Sequence, residues 1–271
     1  MPAIQIIGFL ACGLIGISLG LIGAGGSILM IPVLVFLFNI PPQIATTYSL
    51  FVVGMTSMFS ATNKFKDGNV LIKCALSFGI TSMIAVVVVR RFLIPVLPKF
   101  FGHIGNFAIS YDLLSMLLFA MLMIVAAIFM VKRKAIDTEF THSGSPRWFG
   151  TIPHALLVGI VTGLLGAGGG FLIVPVMTLY LSIDIKKAIG TSLAIVAINS
   201  LSGFANDLTR VYIHWGFMFS ITSIAVAGSI LGSTLSRKIN TTGLKVGFGW
   251  FIMCLGLLII TKECYQFFIQ H

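Results

Sequence analysis

A chain of 271 residues that is 58% hydrophobic and only 9% charged falls far short of the charge content of a soluble domain, about a quarter of all residues. Its net charge of +10 would suggest a nucleic acid partner in a soluble protein, but the Lys and Arg stand between apolar runs and not along one face. That arrangement is a topology signal, so the expected surrounding is a lipid bilayer and no nucleic acid partner is expected.

From Met1 to Asn63 there is no Asp, Glu, Lys or Arg, and charge-free runs recur at 113–131, 148–183, 188–206 and 211–236. The first residues, Met1 to Gln5, lack the basic start of a secretory signal, so the first apolar segment is expected to be retained. Turn and charge signals divide the chain into ten apolar segments: 3–22, 27–39, 43–62, 71–91, 112–131, 150–165, 171–182, 187–206, 213–235 and 244–261. Long apolar stretches without alternation predict helices, because a bilayer offers the backbone no outside hydrogen-bond partner. The predicted fold class is all-α and polytopic.

Segments 27–39 and 171–182 are too short to cross a core of about 30 Å as straight helices. Each follows a glycine cluster, Gly23-Ala24-Gly25-Gly26 or Gly166-Ala167-Gly168-Gly169-Gly170, and half-helices are expected there. Residues 20–34 and 163–177 match at a constant offset of 143, with nine of 15 positions identical. The same offset pairs Ala45 with Ala188, Ser49 with Ser192, Leu50 with Leu193, Ser57 with Ser200 and Asn63 with Asn206. The chain therefore reads as two copies of one unit, residues 1–131 and 148–271, joined by a hydrophilic linker at 132–147. Five segments per copy is an odd number, so inverted repeats are expected. With the linker in the cytoplasm, twelve of the 17 basic residues fall on the inner side, which supports that orientation; Arg90-Arg91 on the outer side stands against it.

A glycine cluster before a short helix offers unpaired backbone N–H groups and the positive end of a helix dipole to an anion. Two such clusters would aim two helix starts at one midplane site between repeats. The residues expected to contact substrate there are Gly23, Gly25, Gly26 and Ser27 in the first copy and Gly166, Gly168, Gly169 and Gly170 in the second. Tight helix packing is the structural alternative for these glycines. Positions 49, 56, 60 and 63 share one helical face, and 192, 199, 203 and 206 repeat the spacing. Ser49, Ser57, Ser192, Asn199 and Ser200 are accordingly expected to line the path, with helix-to-helix hydrogen bonding as the alternative. All seven acidic residues fall near segment ends or in the linker; Asp207, just past the polar stripe, is the one candidate for proton coupling.

The repeated pattern resembles a known family: Gly23-Ala24-Gly25-Gly26, Pro32, Pro41-Pro42-Gln43-Ile44-Ala45 and Tyr48-Ser49-Leu50, then Gly166-Ala167-Gly168-Gly169, Pro175, Ala188 and Gly190-Thr191-Ser192-Leu193. It is similar to the sulfite exporter TauE/SafE family over nearly the whole chain. The resemblance implies movement of sulfite, thiosulfate, sulfoacetate or a related sulfur oxyanion across a bacterial inner membrane, with the small anion and the bilayer as partners, no cofactor, and homo-oligomerisation left open. Two departures stand out: Ile183-Asp184-Ile185 replaces the Pro pair, and Tyr48 stands where the second copy has Thr191. Two other classes remain as alternatives. A membrane-embedded enzyme would need paired His, Cys, Asp or Glu within a segment core, and no such pair occurs at helical spacing. A non-transporting membrane subunit would leave the duplicated polar motif without a purpose.

Overall fold

The computed structural model describes residues 3–98, 100–104, 107–132, 148–181, 183–236 and 241–269. Its helices are α1 (Ala3–Ile22), α2 (Met30–Phe36), α3 (Pro42–Lys66), α4 (Ile72–Val88), α5 (Ile94–Val96), α6 (Tyr111–Lys132), α7 (Trp148–Leu165), α8 (Gly170–Leu179), α9 (Ile185–Asp207), α10 (Trp215–Leu235) and α11 (Thr241–Ile269). A 3-10 turn, Ala24–Leu29, leads into α2, and a π-turn, Val89–Leu93, joins α4 to α5. Among the described residues, five stretches are long and apolar enough to cross a membrane: Ile4–Leu21, Pro42–Lys66, Ile72–Val96, Ile185–Asp207 and Trp215–Leu235. The fold is that of an all-α polytopic membrane protein. The connection before α6 holds a short antiparallel hairpin, Phe100–Ile104 with Phe107–Ser110, outside the ten apolar segments of the sequence. The linker, apart from its first residue Lys132 at the end of α6, lies outside the described residues.

Local chemistry explains where the helices begin and end. Both α1 and α7 stop at a left-handed glycine, Gly23 (φ 85°) and Gly166 (φ 69°), whose N–H groups close on Leu19 O and Thr162 O. A side chain would be strained there. The two long polar helices start differently. Pro42 sits at the first position of α3, where its missing N–H costs nothing, whereas Asp184 caps α9 by accepting from Lys186 N at 3.0 Å. Pro41 and Asp184 occupy the same repeat position, so the missing Pro pair is a change of cap and leaves the helix in place.

Two compact units emerge. One holds α1 to α4 and α7 to α10; the other holds the stretch from Phe92 through α6 and nearly all of α11. In the second unit, Gly256 of α11 lies against Ala120, Met123 and Ile124 of α6.

Within the first unit, contacts fix the helix directions. Gly16 and Gly20 of α1 press on the backbone of Ala225, Ser229 and Gly232, so α1 runs parallel to α10. Gly159 and Gly163 of α7 meet Ser82, Val86 and Val89, so α7 runs parallel to α4. These are the same positions after a shift of 143. At α3 against α9 the contacts reverse: Thr47 meets Asp207, Gly54 meets Leu201, and Lys64 meets Gly190. The two are antiparallel. Parallel pairs join α3 to α10 (Asn63 to Ser233) and α4 to α9 (Ser82 to Asn199). Hence α1, α3 and α10 point one way and α4, α7 and α9 the other.

Candidate functional site

The contacts between α3 and α9 are centred near Met55 and Thr56 on one helix and Ile198 and Asn199 on the other. Around that centre both helices bury hydroxyls and an amide among apolar side chains: Ser49, Thr56, Ser57 and Ser60 on α3, Ser192, Asn199 and Ser200 on α9. Some satisfy themselves. Thr56 Oγ1 donates to Val52 O at 2.7 Å, and Ser192 Oγ to Ile189 O at 2.9 Å. Others do not: Ser49 Oγ, Ser57 Oγ, Ser60 Oγ, Ser200 Oγ and Asn199 Nδ2 have no hydrogen-bond partner in the protein. Each such group costs about 1–3 kcal/mol when left without a partner. Asn199 Oδ1 lies 3.0 Å from Ser82 Oγ, while its Nδ2 has no partner in the protein.

The glycine clusters come together, since α8 packs on the 3-10 turn that precedes α2. They are not copies in detail. In the second cluster Gly166, Gly168 and Gly169 are all left-handed, whereas in the first only Gly23 is, and Gly25, Gly26 and Ser27 lie within the 3-10 turn. Gly168 reaches the crossing: a methyl there would stand 2.8 Å from Val53 Cγ1 and 2.9 Å from Ser200 Oγ. Gly169 caps α8 and faces the unpartnered Thr162 hydroxyl, and Gly170 is the first helical residue. Gly26 faces Ser18, whose hydroxyl is also unpartnered. Gly23 and Gly166 sit farther out, at opposite ends, against Ile189 and Thr46. Of the residues the sequence singled out, Ser57, Gly168, Asn199 and Ser200 gather at the crossing. Ser49 lies about two turns away along α3, and Ser192 is turned onto its own helix.

Tyr48 has a structural task. Its hydroxyl accepts from His214 N at 2.8 Å, and Thr191 Oγ1 accepts from Leu71 N at 3.0 Å; each bond satisfies the N-cap of a partner helix at equivalent positions. Tyr48 also borders a cavity of about 440 Å³ lined by Gln5, Asn39, Ile44, Tyr212 and His214 among others.

The sequence reading missed Arg90. It is 2% exposed, donates from Nε to Gly163 O at 3.0 Å, and forms an ion pair with Asp207, itself 7% exposed. Thr47 Oγ1 donates to the same Asp207 oxygen at 2.8 Å. In the sequence Arg90 reads only as a topology charge; in the structure it is buried and paired, and Arg91 alone of the two is exposed.

The profile of the sulfite exporter TauE/SafE family matches residues 8–259. The chain is 28% identical over 279 residues to the probable membrane transporter protein YunE of Bacillus subtilis, covering 93% of both chains. It is 26% identical over 277 residues to a probable membrane transporter protein of Methanocaldococcus jannaschii, covering 96% of this chain and 95% of that one. A probable membrane transporter protein of Xylella fastidiosa is 27% identical over 256 residues, with 93% of each covered. No solved structure matches significantly. Membrane-crossing helices and these relatives describe a multi-pass membrane transporter, of the kind found in the bacterial inner membrane, and not an enzyme. The chain belongs to the sulfite exporter TauE/SafE family.

Proposed function

We propose that the protein moves small sulfur-containing oxyanions, of the sulfite, thiosulfate or organosulfonate class, by alternating access around a site at the crossing of α3 and α9. The observation that carries this is the set of buried, unpartnered donors at one place: Ser57, Asn199 and Ser200, beside the left-handed Gly168. Hydroxyl, amide and backbone N–H donors suit an oxyanion, which accepts from several directions and needs no carboxylate to bind it. The first turn of α8 adds N–H groups without helical partners, and its dipole favours negative charge.

The opposed directions of α1 and α7, of α3 and α9, and of α4 and α10 support inverted repeats, each half being the other turned over in the membrane. An anion buried at the crossing would be reached from one side when the α3/α10 end parts and from the other when the α4/α9 end does. Lys64, Lys66, Lys73, Lys186 and Lys187 all belong to the end formed by the close of α3 and the starts of α4 and α9, which supports a cytoplasmic placement of that end.

Purified protein in proteoliposomes, offered sulfite, thiosulfate, sulfoacetate, sulfate and an organic carboxylate, tests the substrate class directly. Selective flux of a sulfur oxyanion is the expected result. Selective carboxylate flux, or none from folded protein, would overturn it.

A further inference from the structure

Arg90 lies in the π-turn Val89–Leu93, where one extra residue per turn swings its side chain inward while Arg91 stays exposed. The guanidinium is only partly used. Nε holds Gly163 O and Nη1 holds Asp207, but Nη2 is buried without a partner. Asp207 meets the fork through a single oxygen, Oδ2, which it shares with the Thr47 hydroxyl, so the pair lacks the two parallel bonds that Arg and a carboxylate prefer. Nη2 is aimed at the left-handed Gly166: a methyl there would stand 2.7 Å away. Any side chain at position 166 would displace that nitrogen.

The opposite end of the repeat pair supplies a comparison. The positions equivalent to Arg90 and Asp207 are Ser233 and Lys64. There Asn63 Nδ2 donates to Ser233 Oγ at 3.3 Å and Lys64 Nζ to Ser236 Oγ at 2.9 Å. Hydrogen bonds to serine hydroxyls thus close the same junction between equivalent helices. Desolvation makes a buried ion pair such as Arg90–Asp207 a poor source of stability. Thr47 lies about 13 Å along α3 from the centre of the crossing, so the pair stands at the end of the helix core and not at its midplane.

We propose that Arg90 receives the substrate anion at this end and that Asp207 is the internal anion it displaces, so that substrate arrival itself opens the junction between α4 and α9. This rests on the oxyanion reading above. Nη2 takes the first oxygen of the incoming anion, a second oxygen replaces Asp207 on Nη1, and the freed carboxylate stays bonded to Thr47 on α3.

The test is flux kinetics in proteoliposomes for wild type, Arg90→Gln, Asp207→Asn and the double variant, using sulfite and thiosulfate. Loss of a charge-assisted hydrogen bond corresponds to roughly a ten- to hundredfold change in affinity. Arg90→Gln is expected to raise KM by about that factor. Asp207→Asn should lower KM, because the competitor is gone, and sulfite should raise its Tm more than that of the wild type. The double variant leaves no orphaned charge, so it should fold and keep the high KM of Arg90→Gln. A structural strut gives another pattern, in which both single variants weaken transport alike and the neutral double variant regains the wild-type KM; that pattern overturns the proposal alone. A folded wild type that moves no sulfur oxyanion overturns the oxyanion reading and this proposal together.

Discussion

Ser57 of α3 and Ser200 of α9 hold the same position in the two copies, and both hydroxyls are fully buried without a hydrogen-bond partner. A hydroxyl kept for packing would have turned back onto its own helix, as Ser192 and Thr56 do. Replacing either serine by alanine should therefore leave Tm unchanged or raise it, by removing a desolvation cost of about 1–3 kcal/mol. Flux should drop roughly tenfold or more, the worth of a donor to a charged ligand. Thermal unfolding in detergent and proteoliposome flux read the two effects separately. Lower stability with unchanged flux would make these serines ordinary packing residues.

Gly168 has a left-handed backbone and two close neighbours, Val53 and Ser200. Gly168→Val should abolish transport while the protein still reaches the membrane, and Gly168→Ala should cost about 1–2 kcal/mol from backbone strain alone. Gly216, in the first turn of α10, has nothing within 4 Å and no such backbone, so Gly216→Ala is the matched control. Quantitative blots of membranes and flux measurements distinguish the variants. Full transport by Gly168→Val would remove the helix start of α8 from the site.

Tyr48→Phe removes the acceptor for His214 N and nothing else at the substrate centre. A loss of about 0.5–1.5 kcal/mol follows, seen as a lower Tm with an unaltered order of preference among anions. A changed preference would bring Tyr48 and the neighbouring cavity into substrate selection.

Orientation is accessible through single cysteines placed in a chain whose native cysteines are replaced by serine. An impermeant thiol reagent applied to intact cells should label Tyr212→Cys, at the Arg90 end, and should spare Lys66→Cys and Lys187→Cys until the membrane is opened. The reverse pattern would turn the protein over in the bilayer.

The long helices were legible because apolar length and turn residues determine a membrane segment almost alone. The polar stripe on α3 and α9 was legible through its spacing, and the 143-residue offset made the equivalence of the two helices visible before any coordinates. Arg90 was not. Nothing local links it to Asp207, which lies 117 residues away, and the π-turn that swings it inward leaves no mark in hydropathy. A cue existed in the offset, since the two copies carry unlike partners at matching places, Arg90 against Ser233 and Asp207 against Lys64. The unequal glycine clusters were also hidden. Gly25 and Gly168 are identical residues in near-identical surroundings of sequence, yet one lies in a 3-10 turn and the other is left-handed. Tertiary packing chose between them.

The pairing of α1 with α10 and of α7 with α4 bears on how the protein is made. Gly16 finds its backbone partner only at Ala225, near the far end of the chain. A ribosome adding about 5–20 residues per second takes roughly 10–40 s to cover that interval. During that time α1 sits in the lipid with its small-residue face uncovered, and α4 likewise waits for α7. Neither half can complete its own interior, so truncated or stalled products are natural targets for membrane quality control, and assembly finishes late and nearly all at once.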